Sequence, residues 1–329
     1  MRGIEVTAPD GVGEVTVGTD LAALVTTHLD LVDGDVVVVT SKVVSKAEGR
    51  TVVTGTGEAG EAAYEEALVA ETRRVVARRG RTRIVRNRLG LVMAAAGIDR
   101  SNVEVGTIVL LPADPDASAR RLRERLRELT GANVGVVVTD TAGRAWRDGQ
   151  TDIAIGAAGL DPSEEFAGQV DPYGNPLAVT LPAVADEIAS AAELAQGKLG
   201  GRPVARLRGR PDLVLAPGAH GPGAASLQRE EGADLFGFGA REAVVVALSG
   251  ETDLHPVFGA PAAPEEVADA FARVSPGAVL SPTASGWELR TVAPLPTAAL
   301  RALCVAHGWS ATAGDADSVT VAHVSPLRT

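Results

Sequence analysis

A carboxylate, two hydroxyls and two arginines follow one of the most apolar segments of this sequence. The segment Val134–Val138 is followed by Thr139–Thr141, with Asp140 at its centre, and then by Arg144 and Arg147. A carboxylate flanked by hydroxyls offers the oxygen ligands that hard cations prefer, and arginine binds anionic oxygens. The pattern therefore predicts a site for a metal ion and a phosphate. A turn with solvated arginines is the competing interpretation.

A second stretch has the same arrangement of residue types. Val36–Val39 is followed by Thr40 and Ser41, and then by the cations Lys42 and Lys46. Hydroxyl and ammonium groups at this point could contact phosphate oxygens. The alternative is a surface helix that carries two solvated lysines.

Asp99 and Asn102 lie three residues apart in a segment with turn composition. Both side chains could face one ligand. An Asx-turn or a helix cap explains the same pair without a ligand.

One glycine pattern suggests a dinucleotide site. Gly55–Gly60 reads G-x-G-x-x-G between a predicted strand and a predicted helix. Glu58 and Glu61 crowd the start of that helix and would repel a pyrophosphate, so a polar surface loop is favoured. A nicotinamide-dependent oxidoreductase is kept as an alternative function. The sequence has no Walker P-loop, no H-E-x-x-H motif, no Cys/His cluster and no G-x-S-x-G elbow.

The elements that position these residues follow from the apolar pattern. Val36–Val39 and Val134–Val138 are predicted strands buried on both faces, as in the middle of a largely parallel sheet, and open α/β sheets bind ligands at the strand ends. Further predicted elements are helices over 21–31 with Asp20 as N-cap, over 61–79, over 117–129 with Asp116 as cap, and over 182–199.

The composition changes near Ser249. A Pro/Gly/Ala-rich linker (249–264) precedes a predicted helix (265–274), strand (287–292), helix (297–307) and strand (318–324). We predict an α/β protein with mixed (α+β) sheets and two domains, 1–248 and 249–329, the second comprising the linker and a small α/β unit.

Bulk properties exclude some functional classes. The chain of 329 residues has a net charge of -11, which argues against general nucleic-acid binding. A single cysteine, Cys304, excludes an intrachain disulfide and fits a reducing compartment. No signal peptide or membrane-spanning run is seen at the sequence level. We therefore predict a soluble, cytoplasmic protein with no membrane partner.

Several blocks of the sequence, in order, resemble the coenzyme F420:L-glutamate ligases, also called F420 gamma-glutamyl ligases. The resemblance extends over residues 1–240. This segment is similar to the ligase domain of the actinobacterial two-domain enzymes. It is carried by Asp33–Asp35 with Thr40–Arg50, Asn87–Val92 with Ala96–Val103, Leu111–Asp116, Asp140–Arg147 and Ala185–Ser190.

This resemblance implies GTP-dependent ligation of L-glutamate to the lactyl-phosphate carboxylate of a deazaflavin, the coenzyme F420 precursor. It implies Mg²⁺ or Mn²⁺, K⁺ as a further cation, a homodimer, and an α/β fold without a Walker loop. The implied metal ligands are Asp99, Asp140 and Thr141, and Asp140, Arg144 and Arg147 are the predicted catalytic residues. The implied nucleotide-binding residues are Gly11, Val12, Gly13, Glu14, Ser41, Lys46 and Asn102.

The chain departs from the family pattern at two loops. Gly11-Val12-Gly13 replaces the usual Gly-Leu-Pro, and Ala219–Gly223 reads A-H-G-P-G, with His220 where an acidic metal ligand is expected. The missing acid motivates an alternative, a non-catalytic homologue that binds GTP or the deazaflavin. The segment after Ser249 is too short for the flavin-binding domain of the two-domain relatives, so no FMN site is predicted.

Overall fold

The computed structural model describes residues 3–101, 103–284, 286–314 and 321–326. The chain forms two compact units, Met1–Arg74 with Ile84–Gln228, and Val75–Arg83 with Arg229–Thr329. The helices and strands are β1 (Glu5–Thr7), α1 (Leu21–His28), β2 (Val36–Thr40), α2 (Ser41–Ala47), β3 (Thr51–Val53), α3 (Gly57–Glu71), β4 (Thr72–Arg79), β5 (Thr82–Asn87), β6 (Val92–Ala94), β7 (Thr107–Val109), α4 (Pro115–Thr130), β8 (Gly135–Arg144), β9 (Arg147–Ala158), α5 (Val184–Gln196), β10 (Val204–Arg208), α6 (Ala240–Ser249), α7 (Pro264–Val274), β11 (Val279–Thr283), β12 (Gly286–Arg290), α8 (Thr297–Ala306), β13 (Trp309–Gly314) and β14 (Val321–Pro326).

A five-stranded sheet in the order β1-β10-β2-β8-β9 forms the centre of the first unit. The mixed α/β class and both central strands are confirmed, but the prediction of a largely parallel sheet is wrong. Only β2 and β8 run parallel, and the other three neighbouring pairs are antiparallel. The difference arises because β8 does not stop at Thr139. It continues to Arg144 and returns directly as β9, and a short hairpin can join only antiparallel strands.

Helices cover both faces of this sheet and explain its unbroken apolar strands. On one face, β2 and β8 pack against α1 and α4, with Val37, Val39, Val136, Val138, Val25, Leu122 and Leu126 in the core. On the other face they pack against α5, with Val36, Val38, Val137, Val184 and Ile188. A residue of either strand is therefore buried whichever way it points, so no polar alternation appears in the sequence.

Aspartate side chains cap the first turns of α1 and α4, one at the predicted residue and one not. Asp20 caps α1 as expected, since its carboxylate accepts two backbone N–H groups at 3.0 and 3.1 Å. The prediction that Asp116 caps α4 is wrong, because Asp114 accepts the first-turn N–H at 2.9 Å. Asp116 instead accepts the N–H groups of Ala157 and Ala224 at 2.8 and 2.7 Å. It thereby connects the start of α4 to β9 and to the 3₁₀ helix Ala224–Leu227.

The helix predicted over 61–79 ends at Glu71, and residues 72–79 form β4. Thr72, Val75 and Val76 are β-branched and favour an extended chain. Gly80, with a φ of +59°, then turns the chain into β5. These strands form a sheet in the order β4-β5-β6, and β3 pairs with β7 in a separate two-stranded sheet.

The second unit contains an antiparallel sheet in the order β11-β12-β14-β13. Its core consists of Val267, Phe271, Leu289, Leu300, Cys304 and Trp309. The predicted helices and the strand near 287–292 are confirmed, and the predicted strand at 318–324 is described from Val321 onward as part of β14. The segment predicted as a linker contains a 3₁₀ helix, Thr252–Phe258. None of the described helices is long and apolar enough to cross a membrane.

Candidate functional site

Ser41 and Asp140 lie side by side where β2 ends. Thr40 is opposite Thr139 in the parallel pair, so the next residue of each strand reaches the same edge. The buried Ser41 hydroxyl donates a 2.7 Å hydrogen bond to Oδ1 of Asp140. The two stretches with similar residue patterns therefore meet at one point of the fold.

Burial and neighbouring negative charge make the carboxyl of Asp140 easy to protonate. Desolvation contributes most, and the carboxylates of Asp152 and Asp99 add to it, so the pKa of Asp140 rises to about 7 despite the hydrogen bond from Ser41. A bound cation would neutralise this concentration of negative charge.

Asp152, on β9, is a buried carboxylate that the sequence analysis did not identify as part of the site. It is 2% exposed and lies opposite Thr141 in the hairpin. Its carboxylate accepts the hydroxyls of Thr139 at 3.1 Å and of Thr141 at 2.8 Å. Asp152 therefore fixes the orientation of the Thr141 hydroxyl beside Asp140.

Lys198, just after α5, is a second residue that the sequence analysis missed. Its Nζ lies 2.9 Å from Oγ1 of Thr141, 3.4 Å from Oδ1 of Asp152 and 2.8 Å from Oε1 of Glu193. Although desolvation lowers the pKa of Lys198, the two carboxylates outweigh it and raise that pKa above its usual value. An ammonium group is thus held at the Thr141 side of the site.

Asp99 forms the other side of this group of residues. Its Oδ2 lies 2.7 Å from Nζ of Lys42, and its Oδ1 accepts the backbone N–H of Ser101 at 2.6 Å. Desolvation opposes ionisation of Asp99, but Lys42 and Ser101 outweigh it and lower its pKa. Asn102, the predicted partner of Asp99, lies outside the described residues.

The predicted nucleotide loop and the predicted nucleotide lysine lie together. Oε1 of Glu14, in an exposed side chain, is 3.2 Å from Nζ of Lys46 on α2. In the same loop Gly11 has a φ of +74°, a conformation that favours glycine, whereas Val12 packs partly against the core. Two segments predicted to bind nucleotide, far apart in the sequence, are thus neighbours in the fold.

Lysine is rare in this chain and is concentrated here. The sequence has three lysines, Lys42, Lys46 and Lys198, among its 31 Lys and Arg residues. Each of them forms an ion pair with an acidic side chain of this site. Their low number is a sequence signal that could have pointed to Lys198.

The predicted metal ligands Asp99, Asp140 and Thr141 supply two carboxylates and one hydroxyl. Within the described part of the chain, no three His, Cys, Asp or Glu side chains are grouped so that they could hold a metal ion. Any cation bound by the predicted set would therefore need additional oxygen ligands from a substrate or from water.

Arg144 and Arg147 lie at the tip of the β8–β9 hairpin, opposite each other. Both are exposed, and Arg144 donates to the carbonyl of Asp148 at 3.3 Å. Trp146, between them, has a φ of +63° and is 87% exposed. Four steps along an extended strand separate Arg144 from Asp140, about 13 Å. The structure does not bring the two arginines into contact with the carboxylates.

His220 lies near the other end of the central sheet. Its carbonyl accepts the N–H of Gly159 at 2.7 Å, and its Nε2 is 3.3 Å from Oε1 of Glu124. Gly159 follows the end of β9, which pairs with the beginning of β8. Because Asp140 is several residues further along β8, the position of His220 is separate from the carboxylate group.

The Gly55–Gly60 loop lacks the surroundings of a dinucleotide site. The strands before and after its helix, β3 and β4, belong to different sheets, whereas the dinucleotide motif requires a parallel βαβ unit. A Cβ on Gly60 would lie 2.5 Å from the carbonyl oxygen of Gly55. That close packing of the loop on its own helix accounts for the glycine at position 60.

Comparison with known proteins gives concordant matches. The family described as F420-0:Gamma-glutamyl ligase matches residues 11–209. The coenzyme F420:L-glutamate ligase of Archaeoglobus fulgidus is 41% identical over 63% of this chain and 88% of its own length. The protein of that name from Methanopyrus kandleri is 38% identical over 68% and 93%, and that from Halobacterium salinarum 41% identical over 58% and 81%.

Proposed function

Because this chain belongs to the F420-0:Gamma-glutamyl ligase family, we propose that it adds L-glutamate to the coenzyme F420 precursor in a GTP-dependent reaction, with the activity in residues 1–248. The main support is the grouping of Ser41, Asp140 and Asp99 with three lysines within the segment that matches the family. We further propose cytoplasmic localisation, a homodimer and a K⁺ requirement, each of which the family resemblance suggests.

The proposed chemistry has two steps. First, the carboxylate at the lactyl-phosphate end of the precursor attacks the γ-phosphorus of GTP, which forms an acyl phosphate and releases GDP. The amine of glutamate then attacks the acyl carbon. Phosphate leaves with one former carboxyl oxygen, the amine loses a proton, and an amide bond remains. Phosphoryl transfer depends chiefly on positioning and charge neutralisation, which the three lysines together with a bound divalent cation would supply.

We assign nucleotide binding to the Gly11–Glu14 loop, Ser41, Lys46 and Asn102. In the structure the ammonium of Lys46 faces the exposed carboxylate of Glu14. Phosphate oxygens carry more charge and can replace that carboxylate without exposing a buried group. We assign Arg144 and Arg147 to the anionic tail of the deazaflavin, because exposed guanidinium groups suit a phosphate that arrives from solvent.

Asp99 and Asp140 suit Mg²⁺ or Mn²⁺. Both offer carboxylate oxygens, the ligands that hard cations take. Burial, and after it the charges of Asp152 and Asp99, raise the pKa of Asp140 and so disfavour its charged form unless a cation is near. A divalent cation there would neutralise charge on the phosphates during transfer. Ser41 would orient the Asp140 carboxylate through the hydrogen bond that it already donates.

The direct test combines the protein with GTP, Mn²⁺ or Mg²⁺, K⁺, L-glutamate and the deazaflavin precursor, and detects glutamyl addition by mass spectrometry. We expect product and GDP only when every substrate is present. The same assay is run on D140N, which should form little product, and on D269N, a matched control at an exposed aspartate of α7 that should form product normally. Binding of GTP without turnover would instead identify a non-catalytic homologue.

A further inference from the structure

The ammonium of Lys198 lies among three oxygen atoms of different side chains. They are Oγ1 of Thr141, Oδ1 of Asp152 and Oε1 of Glu193, at 2.9, 3.4 and 2.8 Å. We propose that the ammonium of Lys198 takes the place of a metal ion beside Thr141 and Asp152, so that each chain binds one divalent ion, at Asp99 and Asp140.

The oxygen atoms around Nζ match both a lysine and a metal ion. One hydroxyl and two carboxylates are ligands typical of a hard cation. An ammonium group has three N–H donors and no acceptor, and it meets three oxygen atoms here. The hydroxyl of Thr141 donates its hydrogen bond to Asp152, so its oxygen can accept a hydrogen bond from Lys198. The donors and acceptors of this group therefore satisfy one another.

The charge of Asp152 requires a neighbouring cation. Its side chain is 3% exposed, and a buried carboxylate is costly unless it is paired and hydrogen-bonded. Two threonine hydroxyls provide hydrogen bonds, and Lys198 provides the positive charge. A divalent ion at the same place would have to displace that ammonium from a carboxylate that is almost fully buried.

The choice of lysine supports this inference independently. The chain uses arginine at nearly all of its 31 basic positions and lysine at three. An ammonium is a compact point charge, whereas a guanidinium is a wide, flat fork. Only the ammonium resembles a metal ion in size and can fit among three converging oxygens.

This inference rests on the proposed function, since it divides the predicted metal ligands between two cations. Asp99 and Asp140 keep the divalent ion. The ammonium of Lys42 must move from Asp99 to admit it, which costs less than at Asp152 because the Asp99 side chain is 37% exposed and that of Asp152 is 3% exposed. Thr141, predicted as a metal ligand, instead accepts a hydrogen bond from the ammonium of Lys198.

The test counts the Mn²⁺ ions bound per folded chain, by equilibrium dialysis with GDP present followed by elemental analysis. We expect one ion for the natural protein and two for K198E, which replaces the ammonium with a further oxygen ligand. K198Q removes the charge with a smaller change of shape, and we expect it to bind a second ion at higher Mn²⁺ concentration. It keeps the test decisive if K198E does not fold.

R125E and R125Q are matched controls, because Arg125 carries the same charge in an exposed ion pair with Asp20. Both should bind one ion. Two ions on the natural protein, or one on both folded Lys198 variants, would overturn the inference and leave the proposed function intact. The inference would also be overturned if R125E bound a second ion as tightly as K198E does, because any added negative charge would then have the same effect. No ion on the natural protein would overturn the proposed metal dependence together with the inference.

Discussion

The hydroxyl of Ser41 donates a 2.7 Å hydrogen bond to the carboxylate of Asp140, which lies 99 positions later in the chain. The contact exists because β2 and β8 are parallel neighbours in which Thr40 pairs with Thr139, so the next residue of each segment, Ser41 or Asp140, lies at the same edge. It joins a hydroxyl predicted to bind nucleotide to a carboxylate predicted to bind metal. The two predicted functions therefore depend on one another through a single hydrogen bond.

Replacement of Asp140 by asparagine should abolish most activity without loss of stability. The new amide can still accept from Ser41 but carries no charge for a cation, so glutamate-dependent GTP turnover should fall by at least about 100-fold. Because the charged form of Asp140 is disfavoured in the fold, as its pKa of about 7 indicates, the melting temperature should not fall. Steady-state kinetics and calorimetry check the two effects, and near-normal turnover would refute the metal assignment.

Replacement of Ser41 by alanine should have a smaller effect of the same kind. The Asp140 carboxylate would lose its orienting hydrogen bond but keep its charge, and removal of such a partner typically weakens metal binding or activity about 10- to 100-fold. Mn²⁺ titration of turnover should therefore show a higher half-saturating concentration. An unchanged Mn²⁺ dependence would show that Ser41 acts on the nucleotide alone.

The sequence was sufficient to predict that Ser41 and Asp140 come shortly after buried apolar segments, although Asp140 lies within β8 and not after it. Val36–Val39 and Val134–Val138 are apolar without alternation, and this pattern requires burial on both faces. It does not determine strand direction. The continuation of β8 into β9 depends on pairing between strands, which leaves no mark in the composition of residues 139–144.

Asp152 and Lys198 could not be predicted from local patterns. Asp152 faces Thr141 only because the hairpin register places them opposite each other. Lys198 reaches the same hydroxyl from a glycine-rich segment after α5, across 57 positions. Contacts of this kind depend on tertiary packing, whereas the cap at Asp20 depends on neighbouring residues and was predicted correctly.

Replacement of Arg147 by alanine should weaken substrate binding and leave the fold intact. The side chain is exposed at the tip of the hairpin, and such substitutions usually change stability by less than about 0.5 kcal/mol. If Arg147 binds the anionic deazaflavin tail, KM for that substrate should rise roughly 10-fold, since a hydrogen bond to a charged group contributes about 1.5 kcal/mol or more. A fall in kcat with unchanged KM would point to a catalytic function instead.

Replacement of Gly156 by alanine should destabilise the first unit. A Cβ at this position on β9 would lie 2.4 Å from the carbonyl oxygen of Pro115, at the start of α4. Because the obstacle is backbone, the strand and helix must separate, at a cost of about 1–3 kcal/mol. Urea denaturation measures the change. Gly143→Ala on β8, where no atom lies within 4 Å of the added Cβ, is the control, and an equal loss in both variants would contradict the packing explanation.

Replacement of Asp20 by alanine should destabilise α1 in a pH-dependent way. The backbone N–H of Ala23 is the main cause of the lowered pKa of Asp20, and Arg125 adds to it. A lowered pKa means that the stabilising contribution is complete above the ordinary aspartate value of about 4 and is lost as the pH falls through the folded-state pKa. At pH 7 the loss in Asp20→Ala should be about 1 kcal/mol. Urea denaturation at decreasing pH should show that the difference in free energy of unfolding between the natural protein and Asp20→Ala becomes smaller below about pH 4.

Asp20→Asn is the control, because asparagine caps helices without a titrating group. The difference in free energy of unfolding between Asp20→Asn and Asp20→Ala should therefore stay constant. If the difference between the natural protein and Asp20→Ala also stayed constant as the pH fell, the charge of Asp20 would contribute nothing to the cap.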